Sequence, residues 1–370
     1  MKYSLKAKSS AEIGELLQQG YDQWLRTTTR WSEVLTIDPQ PKTGCSPKDI
    51  IWRKNKSKLY HYHASTDRKY KTPILFLYAL INKPYVLDLT PGMSMVEYMV
   101  DEGYDCYLLD WGEFQWEDRN LSYADLVYDY VAQAVRRVAA NSGSEEVTIV
   151  GYCMGGTITT MYAALFDQPK IRNIVYIASP VDFTDAGVSS IWLRAAAFNP
   201  DRVADTFQLV PKDFVDLGTR MLNPVANYVG TYTRLWKLLD DGMSVHTWKV
   251  LNKWVNDGIN FPGECYRQWI KEFYQENKLV KNQIILRGRR VHLQRIKANM
   301  LALVGQKDHI VLPSQTSAAL DYIGSDDKTY LEFSVGHGGL VFGATARDKV
   351  FPAIAEWLGD RSEICTGEPI

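Results

Sequence analysis

Short apolar runs alternate with amphipathic stretches along the chain from about residue 48 onward. Near-continuous apolar runs predict strands covered on both faces at residues 73–79, 104–110, 147–152 and 171–178. Residues with helical periodicity lie between these runs, at positions 94–100, 123–140 and 155–166. This order predicts an α/β fold with a mostly parallel, doubly wound sheet.

The alternation stops at residues 182–291, which carry Trp- and Tyr-rich helical segments with few strand signals. Strand patterns return at residues 298–304 and 328–333, and a helix is predicted near residues 347–358. We therefore expect an α/β core of residues 48–181 and 292–370. Residues 182–291 would form a helical cap inserted between late strands, over the carboxyl ends of the strands, where α/β sheets place active sites.

The N-terminal segment, residues 1–47, precedes this core. Apolar and aromatic side chains recur in it at roughly helical spacing, at Ile13, Leu16, Leu17, Tyr21, Trp24, Leu25, Trp31 and Leu35. The stripe predicts a helical segment that either packs on the protein's own core or contacts a partner.

Composition narrows the class of protein. The chain has 370 residues, 46% of them hydrophobic, so it has enough apolar side chains for a large core. A net charge of -1 gives no basic footprint for nucleic acid. The start has no apolar signal region, and no run is long enough to cross a membrane. Five widely spaced cysteines without a CxxC pair favour reduced thiols and a cytoplasmic location.

The most specific chemical motif is Gly-Tyr-Cys-Met-Gly-Gly at residues 151–156, between a predicted strand and a predicted helix. This context is the one that the nucleophile elbow of the α/β-hydrolase fold requires, with Cys153 in place of the usual serine. A strained turn of this kind needs glycine on both sides, which explains Gly151 and Gly155. The alternative is a buried structural cysteine in a glycine-containing turn.

A thiol needs a base to take its proton. In this fold the acid and the base follow the nucleophile along the chain, on loops after late strands. Asp308 and His337 occupy these places, after the predicted strands at 298–304 and 328–333. His309 is a rival base, and Asp110, which ends an earlier strand, is a rival acid with an orienting or structural role as its alternative.

An oxyanion hole is also expected. The backbone N–H of Met154 and one from the loop after the strand at 73–79, for which we choose Ile81, are its predicted donors. No phosphate-binding or dinucleotide motif is found, and His and Cys do not cluster at metal-ligand spacing. We therefore expect no metal and no cofactor.

A cysteine nucleophile suits acyl transfer, because an acyl group on sulfur remains an activated thioester. Such an enzyme can take acyl groups from coenzyme A thioesters and pass them to hydroxyls, although hydrolysis is also chemically feasible.

Several stretches resemble those of polyhydroxyalkanoate synthases, the PhaC family, over roughly residues 48–360. They are residues 79–85, 87–92, 107–112, 151–156, 254–258 with 261–263, and 307–310. The resemblance implies polymerisation of (R)-3-hydroxyacyl-CoA, typically 3-hydroxybutyryl-CoA. Coenzyme A is then part of the substrate and a product, and no cofactor or metal is implied.

The resemblance also implies residue roles. Cys153 would hold the growing acyl chain and His337 would deprotonate it. Asp308 would help to activate the substrate 3-hydroxyl, directly or through His337. We further expect Asp110, Trp111 and His309 to contact substrate.

Only about 50 residues precede the core, and this resembles the short synthases that need a small accessory subunit. A PhaR-like subunit is favoured over a PhaE-like one. Homodimer contacts and a cytoplasmic location at the surface of polymer granules are also implied. Arg287, Arg289 and Arg290 would either meet coenzyme A phosphates or form a solvated charge run.

Two other classes remain open on the sequence. One is a Cys-dependent hydrolase, similar to dienelactone hydrolases or thioesterases. The other is a non-catalytic scaffold that binds acyl ligands.

Overall fold

The computed structural model describes residues 14–15, 17–22, 24–25, 29, 41–223 and 245–365. The chain divides into two compact units, of which the smaller comprises residues 1–42 and 224–253. The larger unit, residues 43–223 and 254–370, contains the central sheet and the candidate site.

Among the described residues, eight strands form the central sheet in the order β1-β2-β4-β3-β5-β6-β11-β12. These strands are β1 Lys48–Lys54, β2 Ser57–Tyr62, β3 Ile74–Leu77, β4 Cys106–Asp110, β5 Glu146–Tyr152, β6 Lys170–Ile177, β11 Asn299–Gly305 and β12 Lys328–Phe333. The pairs β1/β2 and β2/β4 are antiparallel, and all other pairs in this sheet are parallel. The predicted α/β fold with a mostly parallel sheet is therefore confirmed.

Helices cover the sheet. In the core they are α1 Met95–Asp101, α2 (Tyr123–Asp125, π-helical Leu126–Val131 and Ala132–Ser142), α3 Met154–Leu165, α9 Pro313–Ser317, α10 Ala319–Tyr322 and α11 (π-helical Ala346–Val350 and Phe351–Gly359). The strands between them are apolar on both faces. All four residues of β3 are fully buried, as are most of those in β5, because helices lie over both sides of the sheet.

The segment between β6 and β11 interrupts the alternation, as its sequence predicts. Its helices are α4 Val188–Trp192, α5 Pro200–Phe207, α6 Lys212–Met221, α7 Val245–Asn256 and α8 (Gly263–Gln268 and π-helical Trp269–Gln275). Two short antiparallel pairs also lie in it, formed by β7 Leu209–Val210 with β8 Phe261–Pro262 and by β9 Ile285–Leu286 with β10 Arg289–Arg290. The proposed boundary of a cap at residues 182–291 stays a prediction.

The N-terminal stripe is described only in part. Ile13, Leu16, Trp31 and Leu35 lie outside the described residues. The remaining four, Leu17, Tyr21, Trp24 and Leu25, lie in a helical segment and are exposed. No helix in the described part of the chain is long and apolar enough to cross a membrane.

Candidate functional site

Three strand ends bring Cys153, Asp308 and His337 to one edge of the sheet. Cys153 follows β5, Asp308 follows β11 and His337 follows β12. Because β5, β6, β11 and β12 are consecutive parallel neighbours, their carboxyl ends share this edge. Residues more than 150 positions apart in the chain thus form one cluster.

Cys153 lies in a strained turn between β5 and α3. Its backbone has φ 53° and ψ −126°, a region that a non-glycine residue enters at a cost of about 1–3 kcal/mol. The turn is fixed on both sides, because Cys153 N donates to Ile177 O (3.0 Å) and Gly156 N donates to Cys153 O (3.0 Å). The geometry is that of a nucleophile elbow, which lifts the side chain above the sheet edge.

The glycines around Cys153 are required by close backbone contacts. A Cβ on Gly155 would lie 2.3 Å from Leu77 O in β3, and a Cβ on Gly151 would lie 2.5 Å from Gly156 Cα. A Cβ on Gly156 would meet Ser179 Oγ at 2.1 Å. The sequence predicted the need for Gly151 and Gly155, but Gly156 is equally constrained.

His337 and Asp308 form a buried hydrogen-bonded pair. The distance from His337 Nδ1 to Asp308 Oδ2 is 2.7 Å. Asp308 Oδ1 accepts from the backbone amides of Ile310 (2.8 Å) and Val311 (3.0 Å). Burial raises the pKa of Asp308, but His337 and these two amides outweigh it and hold the pKa below its ordinary value. Asp308 is therefore ionised, and Nδ1–H of His337 is the donor.

The electrostatic balance at His337 favours the protonated imidazole. Burial lowers its pKa, but the charge of Asp308, the nearby Cys153 and hydrogen bonds to both residues outweigh burial and raise it. With Nδ1 directed at Asp308, Nε2 is the nitrogen left for the thiol of Cys153. The arrangement can accept a proton from sulfur and keep it.

The rivals for these roles, Asp110 and His309, take no part in the hydrogen bond between His337 and Asp308. Asp110 accepts from Gly112 N (2.9 Å) and from the hydroxyls of Tyr78 (3.3 Å) and Tyr60 (3.4 Å), and it has no hydrogen bond to His337. His309 adjoins Asp308 in sequence, yet the carboxylate of Asp308 bonds to His337.

The remaining predicted residues are placed as follows. Trp111 is buried, and its Nε1 donates to Tyr78 O (3.2 Å), so its side chain supports the sheet edge. Met154 is the first residue of α3, where a backbone N–H has no partner within the helix. Ile81 follows β3, the neighbour of β5, and its carbonyl accepts from Ile259 N (3.0 Å). The roles of Asp110, Trp111, His309, Met154 and Ile81 stay predictions.

Sequence reasoning missed three tyrosines whose electrostatic environment includes Cys153, namely Tyr123, Tyr152 and Tyr274, which we call the tyrosine shell. The ring of Tyr152 lies 5.1 Å from that of His337. Burial is the largest cause that raises the pKa of all three tyrosines. The charge of Cys153 is the next cause for Tyr152 and Tyr274, whereas for Tyr123 it follows the effects of Cys265 and Tyr274. The hydroxyls of Tyr123 and Tyr152 are buried and have no hydrogen-bond partner among the described residues. The high aromatic content was the one sequence signal for this shell.

The basic residues near the end of the insertion have structural partners. Arg287 pairs with Asp125 (2.9 Å) and Asp129 (2.5 Å) on α2. Arg289 donates to Leu165 O, and Arg290 donates to Asn282 O (3.1 Å). The contacts of Arg287 and Arg289 tie the insertion to the core, and that of Arg290 lies within the insertion.

Two further observations concern metal binding and the buried cysteines. Within residues 14–365, wherever the structure describes them, no group of three His, Cys, Asp or Glu side chains is placed to hold a metal ion. Cys106 and Cys265 are buried, and burial raises the pKa of both thiols. They are therefore unsuited to act as nucleophiles.

The fold and the elbow define the chain as an α/β-hydrolase-fold protein. The family described as "alpha/beta hydrolase fold" matches residues 72–344. A serine hydrolase from Cycloclasticus zankles has a similar structure, with a TM-score of 0.51 at 12% identity, covering 84% of this chain and 97% of that one. A likeness at this identity shows the fold alone.

Within that fold the similarity is more specific. The family described as "Poly-beta-hydroxybutyrate polymerase (PhaC) N-terminus" matches residues 14–99. The poly(3-hydroxyalkanoate) polymerase subunit PhaC of Haloferax mediterranei is 37% identical over 93% of this chain and 70% of its own length. The PhaC subunit of Synechocystis is 33% identical over 86% of both chains. The chain belongs to the poly(3-hydroxyalkanoate) polymerase PhaC family.

Proposed function

We propose that this protein polymerises (R)-3-hydroxyacyl-CoA, with 3-hydroxybutyryl-CoA as the expected substrate, into polyhydroxyalkanoate and releases coenzyme A. The observation that carries the proposal is the cluster of Cys153, His337 and Asp308, in a chain of the PhaC family. Relatives at 33–37% identity are named poly(3-hydroxyalkanoate) polymerase subunits.

Loading is the first half of the proposed cycle. His337 Nε2 accepts the thiol proton, and the sulfur of Cys153 attacks the thioester carbonyl. Coenzyme A leaves as its thiol with the proton returned from His337, and the acyl group remains on Cys153. One thioester is exchanged for another, so the bond energy of the acyl group is kept. Met154 N–H and Ile81 N–H are the proposed donors to the oxyanion.

Elongation is the second half. A 3-hydroxyl loses its proton to His337 as its oxygen attacks the Cys153 thioester, and an ester bond replaces the bond to sulfur. Both oxygens of Asp308 are already occupied, and its side chain is fully buried. This occupancy favours an indirect role, in which Asp308 acts on the hydroxyl through His337 and does not touch it.

The test is an assay that follows two products at once. Purified enzyme is given (R)-3-hydroxybutyryl-CoA, with and without a co-expressed small subunit, and both coenzyme A release and polymer are measured. We expect stoichiometric release and polymer in at least one of the two preparations, and loss of both in Cys153→Ala. Free 3-hydroxybutyrate without polymer would instead identify a thioesterase. Full turnover by Cys153→Ala would defeat the mechanism.

We further propose that a small accessory subunit, PhaR-like rather than PhaE-like, binds the N-terminal helical segment. Leu17, Tyr21, Trp24 and Leu25 follow one another at helical spacing and are 70%, 56%, 61% and 48% exposed. Relatives are named subunits, which agrees with an assembly of more than one kind of chain. Homodimer contacts and association with cytoplasmic polymer granules are part of the same proposal.

A pull-down with the candidate subunit tests this contact. We expect Leu17→Asp/Trp24→Asp to lose the small subunit, whereas Glu15→Ala/Gln19→Ala, on the opposite helical face, retains it. Full retention by a chain lacking residues 1–36 would disprove the proposal.

A further inference from the structure

A groove of about 550 Å³ lies on the opposite side of β3 from Cys153. It follows one face of β1, β2 and β4, and the loops at residues 83–88 and 112–115 form its walls. None of the three residues Cys153, Asp308 and His337 lines it. Its lining contains five cationic side chains and four tyrosines, namely Lys48, Arg53, Lys56, Lys58, Lys83, Tyr60, Tyr62, Tyr78 and Tyr85.

Three of these five cations form ion pairs with carboxylates within the described residues, and two do not. Lys48 pairs with Asp88, Lys56 with Glu117 and Asp118, and Lys83 with Glu113 and Asp257, at distances of 2.5 to 3.0 Å. Arg53 and Lys58 have no carboxylate within ion-pair distance in the described part of the chain. They are direct cross-strand partners on β1 and β2. Asp110 also lines the groove but forms no ion pair with either cation, and two adjacent cations outside any ion pair favour an anionic ligand.

Strand register relates these cations to the nucleophile. In the strand register, the backbone of Lys58 on β2 lies opposite that of Asp110 on β4, and Leu77 on β3 lies opposite Gly151 on β5. From Lys58 on β2 across β4 and β3 to β5 is three strand spacings, or about 14 Å, and Arg53 on β1 lies one spacing further away. The pantetheine arm of coenzyme A has about the length of four extended amino-acid residues, also roughly 14 Å.

We propose that this groove binds the phosphorylated adenosine end of the acyl-CoA substrate, with Arg53 and Lys58 holding phosphate oxygens. The inference rests on the proposed function and assigns a part of the substrate to a place outside the catalytic cluster. The pantetheine arm then passes the loop of Ile81 and Lys83 to reach Cys153. Arg287 and Arg289, by contrast, are engaged with the core.

The test compares two thioesters that differ only in the part assigned to the groove. Initial rates are measured with 3-hydroxybutyryl-CoA and with 3-hydroxybutyryl-pantetheine, which lacks the phosphorylated nucleotide. In Arg53→Gln/Lys58→Gln we expect KM for the coenzyme A thioester to rise roughly tenfold or more, while KM for the pantetheine thioester is unchanged. Arg136→Gln/Arg137→Gln, two exposed cations on α2, is the matched control and should change neither KM.

A second measurement guards against a folding defect. Adenosine 3′,5′-bisphosphate should inhibit wild type competitively and the Arg53/Lys58 variant much less, with thermal midpoints of the two proteins compared. Equal increases of KM for both thioesters, or undiminished inhibition of the variant, would overturn the groove assignment. A wild type active on neither thioester would overturn the proposed function, and equilibrium binding of the bisphosphate would then decide the groove separately.

Discussion

At the scale of single residues, the geometry of the candidate site depends on three glycines as much as on the proposed catalytic residues Cys153, Asp308 and His337. Gly151 and Gly155 lie against neighbouring backbone, and Gly156 lies against the side chain of Ser179, all more closely than an added Cβ permits. The strained φ of Cys153 is stable only because these contacts fix the turn.

We predict that Gly155→Ala destabilises the protein by about 1–3 kcal/mol, because its Cβ would lie 2.3 Å from Leu77 O. Urea denaturation measures the difference. Gly218→Ala is the matched control, since Gly218 lies in α6 with nothing within 4 Å of its added Cβ, and alanine there should be neutral or stabilising. Equal stability of Gly155→Ala and wild type would contradict the close approach.

The His337–Asp308 pair should give stability a defined pH dependence. The pKa of His337 is raised from 6.5, so its contribution is complete below pH 6.5 and is lost as pH rises through the raised value. The pKa of Asp308 is lowered from 3.8, so its contribution is present above that pH and is lost as pH falls through the lowered value.

We therefore predict that Asp308→Asn is most destabilising between pH 3.8 and 6.5, by about 1–3 kcal/mol, with a smaller effect at alkaline pH. Denaturation at a series of pH values gives the profile. In a His337→Gln background the same substitution should lose its alkaline dependence. If the stability difference between Asp308→Asn and wild type instead grew toward alkaline pH, the pKa of His337 would not be raised as stated.

At the scale of elements, the sequence predicted local features well, such as strand bounds and the residues that follow each strand. Residues 328–333 were predicted as a strand with the bounds of β12, and Asp308 and His337 follow their strands as expected. At the start of the predicted helix at residues 94–100, a capping box is half formed. Ser94 Oγ accepts from Glu97 N (3.0 Å), but the Glu97 carboxylate accepts from Gly92 N (2.6 Å) instead of Ser94 N.

Non-local features were missed for a physical reason. The antiparallel edge of β1 and β2, the strand order and the groove arise from pairing between distant segments, and hydrophobic periodicity does not encode which segments pair. The tyrosine shell was missed likewise, since Tyr123 and Tyr274 approach Cys153 only after α2 and the insertion have packed.

The start of α2 positions one of these tyrosines. Ser122 Oγ accepts from Asp125 N (3.3 Å), and Asp125 Oδ2 accepts from Ser122 N (3.0 Å), a reciprocal cap directly before Tyr123. We predict that Ser122→Ala costs about 1 kcal/mol in unfolding free energy, whereas Ser122→Thr, which keeps the cap, costs much less. Chemical denaturation of both variants tests this, and equal losses would show that the cap does not stabilise α2.

At the scale of the whole molecule, the site at the sheet edge and the membership of the PhaC family lead us to expect that the growing polymer is bound covalently to the enzyme. We predict that a few equivalents of labelled substrate leave label on the denatured protein, and that neutral hydroxylamine removes it, as expected of a thioester. Cys153→Ala should carry no label. Cys45→Ala, which removes an exposed cysteine outside the site, should carry as much as wild type. Label retained by Cys153→Ala would place the covalent bond elsewhere.

The buried tyrosine shell has a consequence for the length of the polymer. In the proposed mechanism, two attackers would compete for the Cys153 thioester, the hydroxyl of the next unit and water, and the ratio of the two rates would set the chain length. Because Asp308 and His337 would activate either attacker alike, these two residues would not discriminate between them. We expect this discrimination to depend on Tyr123 and Tyr152, whose buried side chains would limit how much solvent reaches the sulfur. Substitutions that open this shell would therefore shorten the polyester without slowing the loading of Cys153.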